Sequence, residues 1–152
     1  MADQEKIICG LQLIVTNLSQ QADGHVIQSR IFGAEGFSKL AEKYAEHAAE
    51  ERGYVSQCID RILNLGGSVK NEAKTETPVR KDPEDWVKYD LQVSKDGLAL
   101  LKSIMADAAG DVTTYDILKD YYKDEEEDMY WGEAQLELIA CIGKQNWLIQ
   151  QL

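Results

Sequence analysis

Along most of the chain apolar residues recur at i, i+3, i+4 and i+7, the period of an amphipathic helix and not of a strand. A first helix is predicted over 3–32, with Asp3 as N-cap and Gly33 and Gly36 marking its end. Its inward stripe reads Ile7, Leu11, Ile14, Leu18, Ala22, His25 and Ser29. A second is predicted over 36–65, ended by Gly66 and Gly67, with the stripe Phe37, Leu40, Ala41, Tyr44, Ala48, Glu51, Val55, Cys58, Ile62 and Leu65. Residues 66–82 are polar, lack that period and contain Pro78, so they form one long connection. The third helix opens on Asp82 as N-cap with Pro83 at its first position, carries Val87, Asp90, Leu91, Ser94, Leu98, Leu101, Met105 and Ala108 inward, and stops at Gly110. A fourth runs from near Thr113 and Thr114 to Ile142, with Leu118, Tyr121, Glu125, Asp128, Gly132, Gln135, Ile139 and Ile142 inward. Gly143 separates it from a short last helix over 145–152. The expected fold is all-α: one domain over 1–152, a four-helix bundle whose second and third helices run parallel because the long connection crosses from end to end.

The informative positions are the polar ones on these stripes. Glu51 falls mid-stripe on the second helix, and Glu125 and Asp128 fall mid-stripe on the fourth. Both histidines of the chain, His25 and His47, lie on or beside stripes. A carboxylate removed from water is costly unless it is paired, protonated or bound to metal. The cluster therefore reads either as a metal site in the bundle core or as a hydrogen-bonded polar layer.

Charge narrows the partners. The chain carries 27 acidic and 16 basic residues, a net charge of −11, which opposes nucleic-acid binding and is compatible with attracting cations. No segment is apolar enough to span a bilayer, and the N-terminus lacks the pattern of a secretory signal, so no membrane partner and a cytoplasmic location are expected. Cys9, Cys58 and Cys141 form no Cys-x-x-Cys pair, which disfavours a thiolate metal site.

Several strings carry a family pattern: Ser29-Arg30-Ile31-Phe32, Arg61-Ile62-Leu63-Asn64-Leu65-Gly66-Gly67, Asp90-Leu91, Asp96-Gly97 and Asp124-Glu125-Glu126-Glu127-Asp128. Trp131, Gln135-Leu136-Glu137-Leu138-Ile139 and Ile142-Gly143-Lys144-Gln145-Asn146-Trp147-Leu148 extend it. With these the chain resembles bacterioferritin, within the ferritin-like superfamily. The resemblance implies an iron-storage shell of about 24 copies around a cavity that holds ferric mineral. It implies a di-iron oxidation site with one Glu from each of the first and third helices and a Glu-x-x-His from each of the second and fourth. The matching positions here are Leu18, Ser94, Glu51 with Tyr54, and Glu125 with Asp128, so three of the six are lost. The resemblance also implies haem held by a methionine at the position of Arg52, and a guanidinium cannot serve, so no haem is expected.

On this footing the first expectation is an iron-storage subunit with an altered or degenerate ferroxidase site, at most a ferroxidase. Glu42, Glu46 and Glu50, spaced by four on the cavity-facing helix, are its candidates for mineral nucleation. The alternatives are a structural or mixed-shell subunit without redox chemistry, and a metal-binding oxidase with a displaced site. The displaced site follows from helix geometry: moving two turns along the first helix from Leu18, and backwards on the antiparallel second, brings His25 and His47 to one height, with Asp90 level on the third. The competing expectation is that the histidines hydrogen-bond to tyrosines such as Tyr44, or to each other through water.

Overall fold

A computed structural model describes residues 3–152. Five helices follow in order: α1 Gln4–Ala34, α2 Ser38–Asn64, α3 Pro83–Asp107, α4 Val112–Ile142 and α5 Lys144–Ile149, with no strand among the described residues. The starts are set by side-chain caps. Asp3 accepts from the amides of Glu5 and Lys6, Asp82 from that of Asp85, and Asp111 from that of Thr114. Asp111 sets the start of α4 at Val112, just ahead of the predicted threonines, because its carboxylate engages Thr114 and Arg61 together. The end of α2 is a Schellman turn: Gly66 at φ 79° donates to Leu63, and Gly67 to Ile62.

α1 packs along α2 and α3 along α4; the faces between α1 and α3 and between α2 and α4 are thinner, and α2 and α3 stand across the diagonal. The apolar stripes fill two separate clusters. One gathers Leu11, Ile14, Leu18, Val55, Cys58, Ile62, Leu101, Ile104 and Leu118. The other gathers Phe32, Leu40, Tyr44, Trp86, Val87, Ile139 and Trp147. α5 closes the second cluster: Trp147 is fully buried and its Nε1 donates to Gln135 Oε1 at 2.9 Å. Between the clusters lies a polar waist.

The long connection lies against the outer side of α1, tied by that helix's own side chains. Gln4 bonds the Leu65 carbonyl, Gln12 brackets Lys70, Gln20 bonds the Thr75 carbonyl and Gln28 brackets Arg80. Thr16 adds a bond to Glu72 at 2.6 Å. In each bracket the amide oxygen accepts from the backbone N–H while the amide nitrogen donates to the carbonyl, as a neighbouring strand would. These bonds satisfy polar backbone that has no secondary structure of its own.

Candidate metal centre

Each helix of the bundle sends two residues, three or four apart and so on one face, into the waist. α1 supplies Gln21 and His25, α2 His47 and Glu51, α3 Asp90 and Ser94, α4 Glu125 and Asp128. His25 is engaged at both ring nitrogens, with Nδ1 2.6 Å from Glu51 Oε1 and Nε2 2.8 Å from Asp90 Oδ1. Gln21 Nε2 donates to the second oxygen of Glu51 at 2.6 Å. Burial alone would depress His25, but the charges of Asp90 and Glu51 hold it well above its ordinary value.

His47 is the opposite case. It is 3% exposed, and neither ring nitrogen has a hydrogen-bond partner among the described residues. Its Nε2 lies 3.2 Å from Asp128 Oδ1, within ion-pair distance but outside hydrogen-bonding geometry. Burial and the charge on His25 push it down to about 3, leaving a neutral imidazole with an open lone pair. The two rings are 5.6 Å apart at their centroids. Tyr44 packs its ring 5.5 Å from each, yet its hydroxyl bonds neither, so the expected histidine–tyrosine hydrogen bond is absent. Trp86 meets His25 edge-on and Trp131 meets His47 edge-on, which fixes both rings. His25 Nε2 or Nδ1, a His47 nitrogen and an Asp90 oxygen can be chosen so that all lie within 4.8 Å of one another.

The carboxylates outnumber the histidines, and the excess appears as raised affinity for protons. Burial and the neighbouring Glu51 push Glu125 up to about 7, against the pull of Ser94. Burial and Glu125 push Asp128 up to about 8. Burial raises Glu51 too, although His25 opposes it.

The positions that the resemblance matches to a dinuclear centre have the following surroundings. Leu18 is 2% exposed inside the apolar cluster and offers no donor atom. Tyr54 donates its hydroxyl to Asp124 and stacks on Tyr121, with centroids 5.3 Å apart. Glu51 is committed to His25 and Gln21. Arg52 pairs with Asp23 at 2.6 Å in solvent. Glu42, Glu46 and Glu50 are exposed along α2, where burial and Asp124 raise the Glu50 carboxyl. The structure therefore brings His25, His47, Glu51, Glu125 and Asp128 into one layer and leaves the glutamate row outside it. Gln21, Trp86 and Trp131 were not expected there. Gln21 was findable, being one helical turn before His25 on the same face.

A family profile described as a ferritin-like domain matches residues 11–142. A "Bacterial ferritin" of Neisseria meningitidis is 37% identical over 133 residues, covering 86% of each chain. A "Bacterial ferritin" of Pseudomonas aeruginosa is 33% identical over 155 aligned positions, covering all of both chains. A "Bacterioferritin" of Rhodobacter capsulatus is 28% identical over 116 residues, 75% of this chain and 72% of its own. The four-helix bundle with its end-to-end connection agrees with that match, and the chain belongs to the ferritin-like family.

Proposed function

We propose that this chain is a subunit of a cytoplasmic iron-storage shell of about 24 copies whose dinuclear oxidation centre has been dismantled and which takes no haem through α2. Ferrous and ferric iron are its cargo. The observation that carries the reading is the burial of Leu18 and Ser94 where the resemblance requires carboxylates. Without them, Glu51 and Glu125 cannot enclose two cations. The acidic face of α2, with Glu42, Glu46 and Glu50, remains available to collect iron. The same loss of ligands also supports a second reading, in which the chain contributes only shape and acidic surface to a shell of its own or of mixed subunits.

Ferrous loading in air tests it. The expected result is slow oxidation with gradual accumulation of mineral, and an initial rate changed less than about twofold by Glu125→Gln. A fast phase consuming two ferrous ions per chain, lost in Glu125→Gln, would overturn the dismantled centre. Failure to accumulate any iron, with the shell intact, would leave the purely structural reading.

A further inference from the structure

We propose that His25, one ring nitrogen of His47 and the Asp90 carboxylate form a mononuclear site for a divalent first-row transition ion of the Fe2+ or Zn2+ class. The site lies one helical turn from Ser94 and two from Leu18, and it does not depend on shell assembly or storage.

Three features of the waist point to a ligand and not to a satisfied polar layer. The first is His47, a neutral imidazole 97% removed from solvent by its 3% exposure, with both nitrogens unpartnered. A buried polar atom left open is costly, and a metal ion would satisfy it. The second is the support of His25. A metal-bound histidine characteristically donates its other ring N–H to a carboxylate, which fixes the ring and its tautomer. Here Nδ1 faces Glu51, Glu51 is fixed in turn by Gln21, and Nε2 meets Asp90 at 2.8 Å, so an ion entering between them would take the place of the proton they share, which leaves to solvent. The third is the spacing: the three ligand atoms lie within 4.8 Å of one another, close to the ~4.2 Å that opposite bonds of about 2.1 Å would span.

The donor set selects the class of ion. Two imidazoles and a carboxylate suit iron and zinc, whereas magnesium and calcium take oxygen ligands and a copper(I) or iron–sulfur site would need thiolates. Cys58, the one buried thiol, sits in the apolar cluster beyond Glu51. Surplus acid in the waist favours a dication electrostatically. Access exists as well. A cavity of about 340 Å³ opens between α1, α3 and the connection, and it reaches Gln21, His25, Trp86 and Asp90. It is wide enough for water to complete the coordination shell.

The test uses the intact protein stripped of metal by chelation. Co2+ reports a nitrogen–oxygen site by its visible absorption, and Zn2+ binding is followed by calorimetry. One ion per chain is expected. His47→Gln and Asp90→Asn should each weaken binding at least about tenfold, and Glu51→Gln about 10–100-fold through the lost support of His25. Asp60→Asn, exposed on α2 outside the waist and the glutamate row, should leave it unchanged. Crystals of the unaltered protein soaked in Zn2+ should give an anomalous peak between the two histidine rings, a readout that no misfolded variant can confuse. Absence of that peak, a peak at Glu125, or affinity unmoved by His47→Gln would overturn the proposal.

Discussion

Gly10 stands where α1 meets α3, and a Cβ there would lie 2.6 Å from Ile104 Cγ2. Ile104 is β-branched and held in a helix, so it cannot swing aside freely. Gly10→Ala is therefore expected to destabilise the fold by about 1–3 kcal/mol despite the better helix propensity of alanine, as read by denaturant titration. Asp111 offers a contrasting case on the surface. Burial works against its charge, but the Thr114 hydroxyl and amide and Arg61 together outweigh it and hold its carboxyl below the ordinary range. A lowered carboxyl stabilises the folded chain fully above pH ~4, and that share is lost as pH falls through the folded value. Asp111→Ala should cost about 1–2 kcal/mol at neutral pH, and the difference from the unaltered chain should shrink in acid. Which residues enter the waist was legible, since His25, His47, Glu51, Asp90, Glu125 and Asp128 fall on or beside apolar stripes at helical spacing. What each does there was not. Whether Glu51 faces a cation or a histidine depends on rotamers and on the relative rotation of α1 and α2, which periodicity leaves free.

At the scale of elements, stripes and caps carried nearly all the information. The four long helices lie within three residues of their predicted bounds, because glycine stops and aspartate starts are local signals. The connection was read only as polar and irregular. Its order is written on another element, in the glutamines of α1, which from sequence look like an ordinary wet face. Gln28 is the strongest tie, fully buried and bonded to both the amide and the carbonyl of Arg80 at 2.7 and 2.8 Å. Gln28→Ala should cost about 1–3 kcal/mol, since it strands two backbone groups. Hydrogen exchange should show the Arg80 amide losing protection while the helices keep theirs.

At the scale of the whole molecule, the family match carries an expectation of closed assembly. Light scattering coupled to size exclusion should give a mass of many subunits, independent of dilution, where a monomer or dimer would contradict it. Purified protein should lack a Soret band, because Arg52 is engaged with Asp23 and has no lone pair for haem iron. The division into two apolar clusters was foreshadowed in the stripes, which polar residues such as Glu51 and Glu125 interrupt mid-helix. It follows from where four polar pairs happen to share one height.

The ties between α1 and the connection carry a handedness. They recur every eight residues on the helix, at 4, 12, 20 and 28, and every five on the connection, at 65, 70, 75 and 80. Eight residues of an α-helix advance about 12 Å and overshoot two full turns by about 80°. At a path radius of about 8 Å that sweep adds an arc of ~11 Å, and the diagonal, ~16 Å, is what five extended residues span. The connection must therefore coil about α1 as a right-handed ribbon, carrying the chain from the flank of α2 round to that of α3. Ties set every seven residues would fall short of two turns by about 20° and lead the ribbon the other way. The chirality of the crossover is thus encoded as an interval between glutamines.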